Sequence, residues 1–540
     1  MRFPRSSGIL LHPSSLSGPY GIGTIGAESW KFIDFLARAG IGLWQILPLG
    51  PTGYGDSPYQ CLSSFAGNPN LIDPGLVAEA GLASPEELEA CRAPNTGKVD
   101  FGWIFTSRRL FLDRIWERFR EVNSGVRAEP QAASKSPSGL GAAATTGEKW
   151  QKAASRAAIA TANPEASGLD QQSFRSFCDD NASWLDDFSL FMTIKEERGL
   201  ESWDRWPEEL RLRKASALAE FAASRADFVN KHKFIQFLFF SQWRILKTRA
   251  EAAGLRIIGD IPIFVAWDSA DVWAHPELFQ LDAECRPLKV AGVPPDYFTA
   301  TGQLWGNPLY DWKANKAERY TWWISRIEAA LSLVDILRID HFRGFSANWA
   351  VPAQDKTAER GRWEPGPGAS LFDAVQEALG SLPIIAEDLG FMTPEVYELR
   401  DRYGFPGMKI LQFAFEPEGD NPDYPHNYPG NAVVYTGTHD NNTAAGWLAS
   451  APRQAAARAL AYVGGARSGF SWNMIRTAWA SPADMAIAPF QDLLGLGSEA
   501  RMNYPGTQNG WWSWRMAEGT LRSSLAKKLK DLGKTFFRLA

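Results

Sequence analysis

Acidic side chains follow several short apolar runs in this sequence, at positions where carboxylic acids can do nucleophilic or acid–base chemistry. They are Asp260, Asp340, Glu387, Asp388 and Asp440. A single acid after an apolar run is usually a helix cap or a polar loop residue. Five acids at the carboxyl ends of several strands in one parallel sheet would instead meet at one edge of that sheet. The capping interpretation does not explain why so many acids would meet. We therefore treat these carboxylates as a candidate catalytic group.

Paired carboxylates are the groups that retaining glycoside chemistry needs, one as nucleophile and one as general acid. Arg338 and Asp340 lie two residues apart, so both side chains would face the same side of a strand. A guanidinium so close would keep Asp340 ionised, which suits a nucleophile, whereas Glu387 would need a less polar setting that holds its proton. His341 and His439 add hydrogen-bond donors suited to sugar hydroxyls. The spacing alone does not assign which carboxylate does what.

Composition and motifs exclude several other function classes. The chain has 23 Trp among 540 residues, and flat rings can stack on sugars, although core packing also uses them. The formal net charge of −5 excludes a generally basic surface, so we expect no nucleic-acid partner. The sequence has no GxSxG, Walker A or HExxH motif. The His–Asp pairs could instead bind a metal, but no second His lies near His12, and we expect no metal or other cofactor.

Eight continuous apolar runs must position these acids. Continuous runs, rather than alternating ones, are typical of strands buried on both faces. Helical patterns such as 27–39, 234–253 and 317–331 lie between several of them. Strand–helix alternation repeated eight times predicts an α/β fold, a (β/α)8 TIM barrel. The runs are 8–12, 43–49, 255–263, 334–340, 383–388, 408–415, 432–440 and 486–492.

The spacing of the runs is uneven and predicts additions to a single catalytic barrel that spans 1–540. About two hundred residues separate the second and third runs, too many for one loop. We predict a large, mostly helical insertion over 72–232, with helices at 106–122 and 184–198. Within it, 124–168 is rich in Ala, Ser, Gly, Pro and Thr and is predicted to be flexible. A second insertion is expected over 264–332, carrying an active-site lid at 292–312.

The sequence also bears on compartment. No apolar run reaches the roughly 18–20 residues that cross a bilayer. The N-terminal residues lack the apolar stretch of a signal peptide. Four cysteines lie far apart without a CxxC pair, which argues against a disulfide scaffold or a cysteine zinc site. We expect a cytoplasmic protein with no membrane association and no obligate protein partner.

Longer motifs carry a resemblance to a known family. The sequence resembles the 4-α-glucanotransferases known as amylomaltase or disproportionating enzyme, which form glycoside hydrolase family 77 of the α-amylase clan. The resemblance covers nearly the whole chain, and its segment 292–312 is the most specific to the family. The motifs are GILLHPSSL (8–16), WQILPLGPTGYGDSPYQ (44–60), FIQFLFFSQW (234–243), IIGDIPIFVAWDSADVW (257–273), GVPPDYFTATGQLWGNPLYDW (292–312), LRIDHFRGF (337–345), IIAEDLG (384–390), VVYTGTHDNNT (433–443) and DLLGLGSEARMNYPGT (492–507).

The resemblance implies a role for particular residues. Asp340 would be the nucleophile, Glu387 the general acid and base, and Asp440 a third carboxylate that orients the sugar. Tyr54 sits where some relatives bind a second glucan, and this sequence offers no clear aromatic partner for it beyond Phe101. The implied substrate contacts are Tyr59, Asp260, Gln303, Trp305, Arg338, His341, Asp388, His439 and Asn503.

The implied reaction transfers segments of an α-1,4-glucan donor to the 4-hydroxyl of an acceptor glucan or glucose, by double displacement with retention. The partners would then be donor and acceptor oligosaccharides. An α-1,4-glucan hydrolase on the same scaffold is the alternative, and a glucan-binding protein without catalysis is a third interpretation.

Overall fold

Twelve strands form two sheets in the part of the chain that the structure describes. The structure is a computed structural model, and it describes residues 2–53, 55–124, 168–295, 299–507 and 510–540. The strands are β1 (Ser6–Leu10), β2 (Leu43–Gln45), β3 (Arg256–Pro262), β4 (Lys289–Val293), β5 (Gln303–Pro308), β6 (Ile336–Asp340), β7 (Ala347–Pro352), β8 (Arg362–Pro365), β9 (Ile384–Ala386), β10 (Gly407–Ile410), β11 (Ala432–Tyr435) and β12 (Met485–Pro489).

The central sheet is an eight-stranded parallel barrel that is nearly closed. Its strand order is β10-β11-β12-β1-β2-β3-β6-β9, and every adjacent pair is parallel. At the seam between β9 and β10, the Ala386 N–H donates to the Pro406 carbonyl at 3.0 Å. Each strand lies within one of the eight predicted apolar runs or overlaps it. The predicted TIM barrel is confirmed.

Helices surround the barrel and connect its strands. The helix predicted over 27–39 has those bounds, and its apolar side, including Phe32 and Leu36, is fully buried. The helices are α1 (Ala27–Ala39), α2 (Pro74–Glu79), α3 (Pro85–Ala90), α4 (Phe101–Ser124), α5 (Gln171–Asp180), α6 (Ala182–Glu197), α7 (Glu208–Arg211), α8 (Ala215–Ser224), α9 (Ala226–Ala252), α10 (Ala270–Ala274), α11 (Trp312–Ala317), α12 (Thr321–Leu333), α13 (Ala369–Leu379), α14 (Pro394–Arg402), α15 (Ala444–Ser450), α16 (Arg453–Val463), α17 (Phe470–Ala480), α18 (Phe490–Leu494) and α19 (Ser523–Thr535).

Between β2 and β3 the described ranges contain helices α2 to α9, joined by loops and turns. Phe119 of α4 stacks on Phe234 of α9 with ring centroids 4.4 Å apart, so aromatic packing joins these long helices. The division of the chain at 72 and 232 stays a prediction. Residues 125–167 of the segment predicted to be flexible lie outside the described residues. No helix in the described ranges has both the length and the apolar character needed to cross a membrane.

A second, antiparallel sheet of four strands was not predicted from the sequence. Its order is β5-β4-β7-β8, and it is built from segments that follow β3 and β6. The β4–β5 connection returns at Gly302, whose φ of 69° is a left-handed conformation that glycine adopts without strain. The register places Gly292 opposite both Leu304 and Trp349, and Trp349 opposite Trp363. This sheet includes the segment predicted to carry the lid.

A buried arginine binds the chain where two barrel strands begin. Arg538 is fully buried, and its guanidinium donates to the carbonyl oxygens of Ser6 and Asp484, at the entry to β1 and β12. It also donates to the carbonyls of Trp479, Ser481 and Ala483. The other end of the barrel, where the strands finish, is where the acidic residues lie.

Candidate active site

The predicted acids lie at the carboxyl ends of their strands. Asp340 is the last residue of β6, and Glu387 and Asp388 directly follow β9. Asp440 lies in the turn after β11, and Asp260 lies near the end of β3. In a parallel barrel these ends share one mouth, so the topology brings the side chains toward one place.

Arg338 is the charged centre of the site. Its Nη1 lies 2.5 Å from Asp260 Oδ2 and its Nη2 lies 2.7 Å from Asp340 Oδ1. The geometry follows from the strands, since Asp340 is two residues along β6 and Asp260 is the register partner of Arg338 on β3. Burial acts to lower the pKa of Arg338, but the two carboxylates outweigh it and hold that pKa well above its ordinary value. The guanidinium therefore stabilises negative charge on Asp340.

Glu387 is set up to hold a proton. It is 8% exposed, and its two oxygens accept N–H bonds from His341 (2.6 Å) and Leu389 (2.8 Å). Burial, and after it the charge of Asp340, raise the pKa of Glu387 to about 8 despite these bonds and Arg338. The site thus places a carboxylic acid that is protonated at neutral pH beside a carboxylate paired with arginine. This is the division between acid and nucleophile that retaining chemistry requires.

Asp440 is held from one side by polar neighbours. Its Oδ1 accepts a hydrogen bond from Asn503 Nδ2 at 2.6 Å, and its Oδ2 lies 3.5 Å from His439 Nε2. Arg501 donates to the carbonyl oxygens of Asp440 and Asn503, at 2.5 and 2.6 Å, which ties the two backbones together. The side chain of Asp440 remains 42% exposed, so its carboxylate is open to a ligand in the mouth.

Tyr59 connects the two halves of the site. Its hydroxyl donates to Asp260 Oδ2 at 2.9 Å, and its ring stacks on His439 with centroids 4.9 Å apart and planes inclined by 19°. Burial, followed by the charge of Asp260, raises the pKa of Tyr59 well above its ordinary value, so it acts as a donor. Contacts therefore run from Asp440 through His439 and Tyr59 to Asp260, and from there through Arg338 to the nucleophile candidate.

His341 and Trp305 join the second sheet to the barrel mouth. The Trp305 ring meets the His341 ring edge to face, with centroids 4.8 Å apart. Trp305 Nε1 donates to Gln303 Oε1 at 3.2 Å, so both predicted contacts of β5 reach this side of the site. Burial lowers the pKa of His341 to about 4, which leaves its ring neutral at physiological pH. A φ of 54° at His341 turns its N–H toward Glu387.

One predicted binding residue, Asp388, faces away from the other acids, and another, Tyr54, is not among the described residues. The Asp388 carboxylate bonds Arg400 and accepts the Met408 N–H at 2.7 Å, and its side chain is only 5% exposed. Asp388 therefore joins β9 to β10 at the seam, and its carboxylate is occupied by these contacts. Tyr54, predicted for a second glucan site, lies outside the described residues.

Sequence reasoning missed three residues that support the site. Arg501 binds the Asp440 backbone, and the Trp512 ring lies 5.8 Å from both Tyr59 and His439. His12 is buried and accepts the Leu47 N–H at 3.2 Å, and burial lowers its pKa to about 3. Arg501 lies within a motif that carried the family resemblance, whereas Trp512 had no signal beyond an aromatic-rich context.

A metal is not suggested by the arrangement of possible ligands. Within the described ranges, the histidine, cysteine and acidic side chains form no group of three or more that could hold a metal ion. Arg338 supplies the positive charge at the centre of the site instead.

Comparisons with known proteins find relatives along the full chain. A family model described as 4-alpha-glucanotransferase (Glyco_hydro_77) matches residues 11–136 and 143–521. The chain is 47% identical to a 4-alpha-glucanotransferase of Thermus thermophilus, with both chains covered in full. It is 44% identical to one of Streptococcus pneumoniae, over 99% of this chain and 98% of the relative.

A solved structure gives the same result at the level of the fold. Amylomaltase from Streptococcus agalactiae, determined in complex with acarbose, matches with a TM-score of 0.88 and 36% identity. The match covers 99% of this chain and all of that one. Together with the family model and the full-length relatives, it shows that this chain belongs to the 4-α-glucanotransferase family, glycoside hydrolase family 77.

Proposed function

We propose that the chain transfers α-1,4-glucan segments between oligosaccharides, with Asp340 as nucleophile and Glu387 as general acid and base. The observation that carries the proposal is the contrast between these two carboxyls. Arg338 pairs with Asp340, whereas burial keeps the proton on Glu387 at neutral pH. Retaining transfer needs both states at once in neighbouring groups.

The first step forms a glycosyl-enzyme. An oxygen of Asp340 bonds the anomeric carbon of the donor while the bond from that carbon to the glycosidic oxygen breaks. The electron pair leaves with that oxygen, and Glu387 gives its proton to it. The departing chain is released with a free 4-hydroxyl, and Glu387 is left as a carboxylate.

The second step uses the same groups in reverse. The Glu387 carboxylate takes the proton of an acceptor 4-hydroxyl, whose oxygen bonds the anomeric carbon as the bond to Asp340 breaks. Two inversions give net retention, and both carboxyls return to their starting states. Water in place of the acceptor would give hydrolysis.

The other site residues hold the glucose ring between these groups. Asp440 presents an open carboxylate to the positive charge that develops on the ring. Tyr59 offers an aromatic face, and the neutral rings of His341 and His439 offer hydrogen-bonding nitrogens. Remaining predicted contacts, Gln303, Trp305 and Asn503, lie around the same mouth, with Arg338 and Asp260 beneath.

Transfer rather than hydrolysis is favoured by relatives named 4-alpha-glucanotransferase along the full chain. The streptococcal amylomaltase was solved in complex with acarbose, which supports an oligosaccharide as the ligand of this chain. Four unpaired cysteines suit a reducing compartment, so we place the enzyme in the cytoplasm.

Incubation with maltotriose tests the proposal. Transfer yields glucose and oligomers longer than maltotriose, whereas a hydrolase yields only glucose and maltose. Asp340→Asn, which keeps the side-chain shape, is the matched control and should abolish both products. A protein that binds maltotriose without turnover in either form would be a glucan-binding protein. We expect a chelator to leave the rate unchanged, and loss of activity with EDTA would contradict the metal-free mechanism.

A further inference from the structure

Two exposed aromatic rings stand side by side near the mouth of the barrel. Trp363 of β8 is 37% exposed, and Phe391, in the loop after β9, is 65% exposed. Their ring planes are within 18° of parallel, with centroids 6.4 Å apart. We refer to Trp363 and Phe391 as the aromatic platform. No step of the proposed mechanism uses it.

A buried cation fixes the aromatic platform in place. The guanidinium carbon of Arg343 lies 3.7 Å from the Trp363 ring centroid and 5.8 Å from that of Phe391. Its Nη1 donates to the Phe391 carbonyl at 2.5 Å, and the whole residue is only 4% exposed. Trp349 supports Trp363 from the neighbouring strand, with ring centroids 5.2 Å apart. Rings held from below lose little conformational freedom when a ligand covers them.

Short stretches of chain connect the aromatic platform to the catalytic residues. Arg343 follows Asp340 by three residues and Phe391 follows Glu387 by four, a span of at most about 14 Å at 3.3–3.6 Å per residue. The two loops are joined where the Phe342 N–H donates to the Glu387 carbonyl at 3.0 Å. A glucan chain leaving the catalytic centre could therefore reach the platform within a few sugar units.

The position of the aromatic platform indicates which part of the substrate it meets. It belongs to the loops of β6 and β9, whereas His439 and Asn503 hold Asp440 from the β11 side. In the proposed mechanism Glu387 protonates the departing chain and later activates the acceptor. We therefore expect the acceptor to enter on the side of the mouth formed by the loops that follow β6 and β9, where Glu387 lies.

We propose that Trp363 and Phe391 form an acceptor subsite that stacks on a distal glucose unit of the incoming glucan. The inference rests on the proposed function. Flat, uncharged rings suit the apolar faces of a pyranose, and Arg343, the cation that contacts both rings, is itself buried. Two rings of this exposure offer about 200 Å² of accessible aromatic surface, which matches the size of a sugar. A stable protein interface buries about 800 Å² on each partner, so this surface is too small for one.

Competition between two acceptors tests the subsite directly. Glucose and maltotetraose, carrying different isotopic labels, are offered together at equal concentration to the enzyme and an unlabelled maltoheptaose donor. Both acceptors compete for the same glycosyl-enzyme, so the initial ratio of labelled products equals the ratio of their kcat/KM values. Glucose fills a single sugar position, so only maltotetraose can extend from the catalytic centre toward the platform. Loss of the stacking contact should lower its advantage over glucose about three- to tenfold.

Matched variants separate ring stacking from folding. Phe391→Leu and Trp363→Leu should each lower the product ratio, whereas Phe391→Tyr, which keeps a flat ring, should preserve it. Phe537→Leu is the control, since Phe537 is 85% exposed beside Arg538 at the opposite end of the barrel. An unchanged ratio in both leucine variants, or equal losses for both acceptors, would overturn the subsite. Absence of transfer in the unmodified enzyme would instead overturn the proposed function.

Discussion

Replacing Glu387 with glutamine should change the pH dependence of stability in a defined direction. The carboxyl has a pKa of about 8 in the folded chain, mainly because it is buried, against an ordinary value of 4.5. Between these values the folded state binds more protons than the unfolded state, so the stability of the natural protein falls as pH rises. Glutamine does not titrate and escapes this loss.

The magnitude follows from the size of the shift. A difference of roughly 3.5 pKa units corresponds to at most about 5 kcal/mol, at 1.36 kcal/mol per unit. The glutamine amide group has a separate cost. Both Glu387 oxygens accept backbone N–H groups, and in the variant one of these N–H groups would face the NH2 of the glutamine instead of an oxygen. That mismatch costs about 1–3 kcal/mol and does not depend on pH. The variant should thus be less stable near pH 4.5 and more stable near pH 8.5.

Urea unfolding of both proteins at a series of pH values measures this difference. The free energy of unfolding of Glu387→Gln minus that of the natural protein should rise by several kcal/mol between pH 4.5 and 8.5. Glu377→Gln, on the exposed face of α13, controls for the exchange itself and should show no such rise. A constant difference for Glu387→Gln would refute the claim that this carboxyl is held protonated by the fold.

Three further outcomes follow from the site. Above pH of about 8 the transfer rate should fall as Glu387 loses its proton, and initial rates still rising between pH 8 and 9 would contradict this. Arg338→Met leaves Asp260 and Asp340 without their counter-charge. The free energy of unfolding should therefore drop by about 3–5 kcal/mol, and the turnover rate should fall at least hundredfold. Unchanged stability in denaturant would count against a stabilising role for the ion pairs. Trp305→Ala removes the ring that covers His341 and should shift maltotriose products from transfer toward hydrolysis, whereas an unaltered ratio would exclude a gating role.

The barrel was predictable because its strands are buried on both faces and therefore appear as continuous apolar runs. The pairing of Arg338 with Asp340 also followed from the sequence, since alternate residues of a strand share a face. The second sheet was not predictable in this way. Its strand β8 (Arg362–Pro365) has no apolar run, and it is defined by its register with β7 rather than by its own residues.

Asp388 shows the limit of reasoning from strand ends. It follows the same apolar run as Glu387, but adjacent residues of an extended chain point to opposite sides. The structure turns Glu387 toward Asp340 and Asp388 toward Arg400. The contacts of Trp512 could not be inferred at all, because stacking near Tyr59 depends on segments far apart in the chain.

The identity of the nucleophile is the central claim, and trapping it is the most direct test. An α-glucosyl fluoride needs no acid to release its leaving group, so Glu387→Gln should complete the first step and then stall for want of a base. Intact mass and peptide mapping should find one glycosyl unit attached to Asp340, and the additional change Asp340→Ala should remove it. An adduct on Asp440 or elsewhere, or fluoride release with no adduct, would contradict the account.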